Sequence, residues 1–442
     1  KLVVTEEEAL LMTQRELTPG EGLEFVIRGV RDRYLGVDES WKELYTWYRQ
    51  NEGQKVDRIL DAGFFKKKPD ALTGEEAAEL YGEKKQFSVT RMERFSACAY
   101  AHFLTYGLHL SDRERYEFEA MDLGNIAHQS MERFARKAQE KRMPWPKLEE
   151  VQRDAMIEES VEESIKDYGN TVLYSTARNE YMIVRIKQLI RRSVWALTRQ
   201  MEKGDFEPSG YEMNFGSGKI DRVDTCEDED VVYVKVTDYK TGMKSFDIVA
   251  LYHGLQMQLP VYLNAALELE ERRAPGKTVE PAGIFYYRIK DPIVDREKDD
   301  HALEEKILKE LRLDGMINAK EEVIEHLEHQ LSGTSVLNPI GKNKDGSLNR
   351  YSKVLPPEAF VAMLSYTKKK EAQVKRQIYA GEVQANPYEL NGSTGCDYCA
   401  YRDICGFDPR LDGYAYRSLE KYSKEEVIRR MEEEIENREE PS

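Results

Sequence analysis

The fold prediction rests on two stretches, GKIDRVD at residues 218–224 and TDYKTG at residues 237–242. Residues 213–224 and 231–239 are rich in Val, Ile and Tyr, which favour β-strands, and the polar run at 227–230 is typical of a turn. The sequence therefore predicts a β-hairpin with an aspartate on each strand.

Asp221 and Asp238 are those aspartates. A turn near Asp230 brings them close to opposite each other, where facing Cβ atoms are about 5 Å apart. Two carboxylates at that distance repel each other, so a divalent cation between them is the economical interpretation, although a lone aspartate here would more often be a solvated turn residue. Lys240 projects from the same strand face as Asp238, where an ammonium can stabilise charge developing on a phosphate.

Elements on both sides extend this hairpin. Apolar periodicity predicts long amphipathic helices over 124–142 and within 146–203, and a helix over about 248–271 that contains Pro260. A further strand is expected at 282–288. Helices, hairpin, helix and strand in this order indicate an α/β fold.

The rest of the chain carries less information. A capping box at 90–93 predicts the start of a helix and of the main domain, after a helical segment at 1–85. The chain opens with Lys1 in an amphipathic pattern, so we expect a fragment. Two more helices are expected within 300–390, which holds no chemical motif, and a charged helical tail at 409–442.

Composition limits the class of protein. With 442 residues, of which 40% are hydrophobic, the chain can form two or three domains. It has no apolar run long enough to span a bilayer and no signal-peptide pattern, so a cytoplasmic location is expected. A net charge of -16 disfavours adhesion to nucleic acid over the whole surface. The absence of a Gly-rich Lys-Ser/Thr loop argues against ATP hydrolysis by this chain.

The cysteine pattern indicates a metal or cluster. Cys396, Cys399 and Cys405 place three thiolates within ten residues, a spacing that can wrap one zinc ion or one iron-sulfur cluster. A disulfide framework is not expected from five cysteines in a chain of this type. Cys226 is interpreted as an incidental free thiol in the hairpin turn, and Cys98 alone would be a small buried residue on a helix.

Two further motifs lie on either side of the hairpin in the sequence. The upstream helix carries Gly124-Asn125-Ile126-Ala127-His128, and the downstream helix carries Gln258 and Tyr262, which are one turn apart on one face. A histidine on an apolar helix face is more often a core residue, and a Gln and Tyr four apart is a common coincidence. With the hairpin between them, these motifs resemble the PD-(D/E)XK nuclease superfamily, and within it the RecB-like branch.

The resemblance implies roles for the singled-out residues. It implies a mixed central sheet flanked by helices, a Mg²⁺ ion (or Mn²⁺ or Ca²⁺) held by His128, Asp221 and Asp238, and Lys240 as a catalytic group. Gln258 and Tyr262 would support the site and contact DNA. A [4Fe-4S] cluster, with zinc as the less favoured alternative, would be held as a staple by Cys98, Cys396, Cys399 and Cys405.

The cysteine layout is similar to that of the AddB family, whose members pair with AddA in bacterial ATP-dependent helicase-nucleases. One departure is Ala99, where the family often has proline. The resemblance covers about residues 86–408, with 1–85 as the end of a helicase-like region. It implies a DNA exonuclease for double-strand-break repair that cuts the 5'-ended strand. Two alternatives stay open, a DNA-end-binding scaffold with a decayed site and a CRISPR-associated RecB-like nuclease.

Overall fold

The structure is a computed structural model that describes residues 18–32, 41–63, 71–82, 87–111, 120–168, 176–216, 218–297, 299–410 and 413–436. The helix predicted at the very start of the chain, within residues 1–17, and the last six residues of the predicted tail lie outside these ranges. None of the helices in the described ranges is long and apolar enough to cross a membrane.

The chain divides into two compact units, and the first comprises residues 1–70 and 407–415. Its described helices are α1 (Pro19–Asp32), α2 (Trp41–Asn51) and α3 (Gly53–Gly63). They pack through a small apolar core of Leu23, Val26, Tyr48 and Val56. The domain limits expected from the sequence, 1–85, 86–408 and 409–442, stay predictions.

The second unit, residues 71–406 and 416–442, holds the remaining elements. Its helices are α4 (Gly74–Tyr81), α5 (Val89–Ala97), α6 (Ala99–His102), α7 (Ala120–Glu140), α8 (Glu150–Asp167), α9 (Ala177–Met201), α10 (Ile248–Tyr252), α11 (Gln258–Arg273), α12 (Asp300–Glu310), α13 (Glu321–Leu327), α14 (Pro357–Tyr379), α15 (Arg402–Cys405) and α16 (Lys424–Glu436). A π-helical turn, Phe103–Gly107, follows α6, and a 3-10 turn, Trp145–Lys147, precedes α8.

The strands of this unit are β1 (Glu207–Asn214), β2 (Lys219–Asp228), β3 (Val231–Lys240), β4 (Thr278–Arg288), β5 (Asp314–Asn318), β6 (Val354–Leu355), β7 (Tyr388–Leu390), β8 (Ser393–Thr394) and β9 (Arg417–Ser418). The first six form one sheet in the order β1-β2-β3-β4-β5-β6, and the last three form a small sheet in the order β8-β7-β9. In the large sheet β3 pairs with β4 and β5 with β6 in parallel, while the other neighbours are antiparallel. The predicted α/β fold with a mixed central sheet is confirmed.

The predicted hairpin is β2–β3. Its register pairs Arg222 with Thr237 and Asp228 with Val231, so the turn is formed by Glu229 and Asp230, as expected. The predicted strand over 213–224 was wrong in its bounds, because it joined the end of β1 to the start of β2. Strand β1 itself was missed, since its sequence, EPSGYEMN, contains Pro and Gly and has few β-branched residues.

Three helix predictions need correction. The helix expected over 248–271 is two helices, α10 and α11, and Pro260 lies in the first turn of α11, where a missing backbone N–H costs no helical hydrogen bond. The cap of α5 is Ser88 rather than Thr90, with Ser88 Oγ accepting from Arg91 N at 3.3 Å. Instead of two helices, residues 300–390 hold three helices, two strands of the large sheet and the strand β7 of the small sheet.

Both faces of the large sheet are covered by helices. Side chains alternate along β3, so Tyr233 and Tyr239 belong to one core and Val232, Val234 and Val236 to the other. The tyrosine side packs on α7, α8 and α9 through Phe134, Ile157 and Ile190. The valine side packs on α5, α11, α14 and α16 through Met92, Leu259, Phe360 and Val427. The tail helix α16 thus buries an apolar stripe that its charged sequence does not suggest.

A buried group of charges lies beneath the hairpin. Arg222 Nε donates to Asp224 Oδ1 at 2.6 Å, and Lys235 Nζ lies 3.4 Å from Asp224 Oδ2. The three side chains are at most 4% exposed. Two buried cations therefore depend on the single carboxylate of Asp224.

We expect Asp224→Ala to lower the free energy of unfolding by about 3–5 kcal/mol, because it leaves Arg222 and Lys235 buried without a counter-ion. Urea denaturation followed by circular dichroism measures the change. The matched control on the same strand is Glu227→Ala, whose ion pair with Lys277 is largely exposed and should contribute less than about 1 kcal/mol. Equal stability of the two variants would contradict the structural role of Asp224.

Candidate active site

The two aspartates of the hairpin meet where β2 begins and β3 ends. The register that pairs Arg222 with Thr237 makes Asp221 and Asp238 the next facing positions. Asp221 Oδ2 accepts a hydrogen bond from Tyr239 N at 2.7 Å. Asp238 is buried, with 2% of its surface exposed. The structure thus brings two carboxylates together on neighbouring strands.

Polar side chains surround the buried carboxylate of Asp238. Gln258 Nε2 donates to Asp238 Oδ1 at 2.8 Å and lies 2.9 Å from Tyr262 Oη. Lys240 forms an ion pair with the other oxygen, Asp238 Oδ2. Gln258 begins α11, and Tyr262 follows one turn later, so both reach the end of β3 from the same helix face.

Helix α7 contributes His128. Its Nδ1 lies 3.3 Å from Asp221 Oδ2, and its ring meets the edge of Tyr239 at 6.0 Å between centroids. Gly124 suits the close approach of α7, because a Cβ at that position would make a tight contact of 3.1 Å with Thr241 Oγ1. The glycine one turn before the histidine therefore lets the helix bring His128 to the carboxylates.

The ionisation of the site reflects its burial. Burial raises the pKa of Asp238, and the negative charge of Asp221 raises it further, although Lys240 and His128 oppose this. For His128, burial lowers the pKa, but the hydrogen bond and charge of Asp221 outweigh burial and the net pKa is raised. The two carboxylates thus repel each other in a buried site, and a divalent cation would relieve that repulsion.

A cavity of about 500 Å³ opens beside these residues and reveals a side chain that the sequence did not suggest. It is lined by His128, Glu212, Lys219, Asp221 and Lys240 among others. Ligand atoms of His128, Glu212 and Asp221 all lie within 4.8 Å of one another. Glu212 adopts a left-handed backbone with φ of 47°, an uncommon conformation for this residue type that is often retained at functional sites.

Glu212 was missed because a single glutamate on an irregular strand belongs to no motif. It forms an ion pair with Lys219 at 2.5 Å, and burial raises its pKa. The predicted metal ligands were His128, Asp221 and Asp238, whereas the ligand atoms that lie within 4.8 Å of one another belong to His128, Glu212 and Asp221. Asp238 is instead paired with Lys240 and hydrogen-bonded by Gln258.

Glu93 is a second residue that the sequence did not assign to the site. Its Oε1 accepts hydrogen bonds from Met257 N at 2.7 Å and from Gln258 N at 3.0 Å. These N–H groups lie at the start of α11, where backbone N–H groups have no partner within the helix. The N-cap residue, Met257, makes no capping hydrogen bond through its side chain. Glu93 was expected to close a capping box in α5, but instead it fixes the helix that carries Gln258.

These residues fit a hard divalent cation. One imidazole nitrogen and several carboxylate oxygens converge beside the cavity of about 500 Å³, and oxygen-rich sets of this kind suit Mg²⁺ or Mn²⁺. Asp238 Oδ2 is buried, and the ammonium of Lys240 balances its charge. A metal ion at this carboxylate would therefore lie beside the lysine.

Comparison with known families adds the deciding observation. The profile of the PD-(D/E)XK nuclease superfamily matches residues 86–406, which include the whole hairpin and the large sheet. The chain belongs to the PD-(D/E)XK nuclease superfamily. The fold expected from the hairpin and the nuclease class expected from its carboxylates are both confirmed.

The curated relatives of this nuclease are much longer proteins. In Lachnoclostridium phytofermentans, the B component of the ATP-dependent helicase/deoxyribonuclease is 37% identical over 427 residues, which cover 92% of this chain and 37% of the relative. The protein of the same name from Alkaliphilus oremlandii is 33% identical over 425 residues, or 91% of this chain and 37% of the relative. The chain spans little more than a third of the length of these relatives.

The four predicted cluster cysteines of the nuclease lie near one another. Cys98 separates α5 from α6, and the other three lie between β8 and the end of α15. Cys98 and Tyr401 share a small apolar cluster against which Cys399 packs. Burial raises the pKa of Cys396, and the charges of the other three thiols raise it further, so all four are close enough to interact.

The sequence placed Cys226 in the hairpin turn, but the structure does not. It is a buried residue of β2, opposite Tyr233 of β3, and its side chain faces the core that contains α7, α8 and α9. The predicted turn position was wrong because β2 extends to Asp228, two residues beyond the cysteine.

Proposed function

We propose that this chain is the nuclease part of an AddB-type helicase/deoxyribonuclease component and that it hydrolyses DNA phosphodiesters with Mg²⁺. The observation that carries the proposal is the convergence of His128, Asp221 and Asp238 beside Lys240 in a chain of the PD-(D/E)XK superfamily. Membership of the fold family alone would not define the reaction, so the proposal depends on these side chains.

In this proposal His128 Nδ1 and the carboxylates of Asp221 and Asp238 hold the metal, and Glu212 is close enough to take part. When bound, a divalent ion polarises the phosphate and lowers the pKa of the attacking water. The ammonium of Lys240 orients that water or stabilises charge on the phosphate. Tyr239 N holds Asp221 in place through its hydrogen bond of 2.7 Å.

Gln258 and Tyr262 are proposed to support the site and contact DNA. The amide of Gln258 bridges Asp238 Oδ1 and Tyr262 Oη, which fixes the orientation of the buried carboxylate. Glu93 fixes Gln258 in turn through two backbone hydrogen bonds of α11. The pair thus links the substrate surface to the metal ligands, as residues that support a metal site commonly do.

The biological setting is proposed from the names of the relatives. They are subunits of ATP-dependent helicase/deoxyribonucleases, which supports a role in processing double-strand breaks with an AddA-like partner. We expect the substrate to be the 5'-ended single strand and the location to be the cytoplasm, where chromosomal DNA is repaired. A scaffold with a decayed site is not favoured, since Asp221, Asp238 and Lys240 are all present. A CRISPR-associated nuclease is not favoured, since the relatives that cover about nine-tenths of this chain are named as helicase/deoxyribonuclease subunits.

A [4Fe-4S] cluster at Cys98, Cys396, Cys399 and Cys405 belongs to the same proposal. Among the described residues, no three of these thiols have sulfur atoms within 4.8 Å of one another. Around a single zinc ion, with Zn–S bonds of about 2.3 Å, tetrahedral geometry requires sulfurs about 3.8 Å apart. A four-iron cluster separates its thiolates more widely, and the iron and zinc contents of the purified chain distinguish the two.

A cleavage assay tests the proposed activity. The purified chain is incubated with single strands labelled at the 5' or the 3' end, with Mg²⁺ or with EDTA. We expect cleavage that requires Mg²⁺, with a product pattern that reports the polarity. Calorimetry with Ca²⁺ distinguishes the rival hypothesis, because a decayed scaffold should neither bind the ion nor cut DNA.

Lys240→Gln should lower kcat by about 100-fold or more, because an ammonium that stabilises transition-state charge is lost. Affinity for Ca²⁺ should be unchanged or slightly higher, since a positive charge next to Asp238 is removed. Lys244→Gln is the control, because Lys244 lies over the ring of Tyr286 and is not paired with Asp238. Loss of ion binding in Lys240→Gln, or kcat equal to the control, would exclude a catalytic role for this lysine.

A further inference from the structure

A second group of metal-ligating side chains lies at the other end of β2 from Asp221. Asp205, in the connection between α9 and β1, Cys226, near the end of β2, and His326, in the last turn of α13, each offer one ligand atom. These three atoms all lie within 4.8 Å of one another. The group joins three separate segments of the chain and has no part in the nuclease site.

Other polar side chains lie next to Asp205 and His326. Asp205 Oδ2 lies 2.8 Å from His326 Nδ1 and 2.8 Å from His329 Nε2. The other ring nitrogen of His326, Nε2, lies 3.3 Å from Asp228 Oδ2. Both histidines therefore share one carboxylate oxygen, which brings His329 within reach of the group formed by Asp205, Cys226 and His326.

The backbone holds these side chains in position. Asp205 N donates to His326 O at 2.8 Å, and His329 N donates to Lys203 O at 2.8 Å. Gly204 allows this contact, because a Cβ at that position would collide with His326 O. The connection before β1 is thus fastened to the end of α13 by two main-chain hydrogen bonds, so the ligands are in place before any ion binds.

The chemistry of the donors selects the ion. A thiolate with imidazole nitrogens and one carboxylate is a set that suits zinc and is too soft for Mg²⁺. With Zn²⁺, the thiolate and one aspartate would neutralise the charge of the ion, and the two imidazoles would stay neutral. Hydrogen bonds between His326, His329 and Asp205 hold the histidines, and the sulfur of Cys226 adds a soft donor within 4.8 Å of ligand atoms of His326 and Asp205.

We propose that Asp205, Cys226 and His326 bind one Zn²⁺ ion, with His329 as the fourth ligand. Four protein ligands leave no open position, so the role is structural: the ion ties α13 and the connection before β1 to the end of β2. Binding releases the thiol proton of Cys226 to solvent.

The test compares metal contents of the full chain and its variants. After incubation with zinc and removal of unbound ions, elemental analysis should find one zinc equivalent less in Cys226→Ser than in the parent, with equal iron. Asp230→Asn is the matched control, because it changes an exposed carboxylate in the turn of the same hairpin, outside both groups of ligands, and should keep the zinc. Equal zinc in the parent and in Cys226→Ser would overturn the proposal and leave the hydrogen-bond network as the explanation.

Cobalt provides an independent probe of the same ligands. Titration of the parent with Co²⁺ should produce a thiolate-to-cobalt charge-transfer band that is absent from Cys226→Ser. In His329→Gln the band should remain, with affinity roughly tenfold lower or more. Circular dichroism verifies that each variant is folded, and His326→Gln replaces Cys226→Ser if the latter is not. The same band in the parent and in a folded Cys226→Ser or His326→Gln would contradict the assignment.

Discussion

Asp238→Asn is expected to give a folded protein whose Mg²⁺-dependent DNA cleavage is lower by about 10³-fold or more. The asparagine keeps the shape and the hydrogen bond to Gln258 can be retained, but the charge that holds the metal is lost. Metal catalysis contributes several kcal/mol to such reactions, and about 4 kcal/mol corresponds to a factor of 10³ in rate. Steady-state cleavage of a labelled single strand measures the loss.

The control for this variant is Asp230→Asn, which makes the same chemical change in the exposed turn of the same hairpin. It should cut DNA at the rate of the parent. Because the carboxylate of Asp238 is buried beside that of Asp221, its neutralisation should not lower the stability of the metal-free protein. Cleavage by Asp238→Asn within tenfold of the parent would show that this residue is not a ligand.

Cys98→Ser is the second variant for which we expect a large effect. It should abolish iron binding and lower the thermal stability, since the proposed cluster joins Cys98 to a loop about 300 residues away in sequence. Closing a loop of that length contributes about 5 kcal/mol in simple chain-entropy terms. Iron content, absorbance of the purified protein and calorimetric unfolding measure the three consequences.

Cys226→Ser is the matched control for the cluster, because Cys226 lies on β2 and packs in a different core. Its iron content should equal that of the parent. A brown parent protein supports iron, whereas a colourless protein with one zinc at Cys98, Cys396, Cys399 and Cys405 would replace the cluster with the alternative ion. Unchanged metal content and unfolding temperature in Cys98→Ser would contradict the proposal that Cys98 is a ligand of a stabilising cluster or ion.

The sequence predicted best what short-range chemistry determines. Alternating Val and Tyr residues and a polar turn define β2–β3, because side-chain period and turn residues are local properties. The convergence of His128, Gln258 and the hairpin was inferred from the order of motifs, and the structure brings these side chains together. Their roles in catalysis stay predictions.

The residues that sequence reasoning missed are those whose position depends on tertiary packing. Glu93 was expected to close a capping box in its own helix, but it accepts hydrogen bonds from α11, more than 160 residues later. Glu212 belongs to an edge strand without a clear β pattern, and only the fold brings it to His128. Asp205, Cys226 and His326 likewise show no common spacing, because three separate segments carry them.

The position of the metal in the nuclease site shows directly whether His128, Asp221 and Asp238 hold the catalytic ion. Crystals of the chain soaked in Mn²⁺ and measured at an X-ray energy where manganese scatters anomalously would locate the ion without reference to activity. We predict an anomalous peak within bonding distance of His128, Asp221 and Asp238. An ordered site with no peak there would contradict the proposal that these residues hold the catalytic ion.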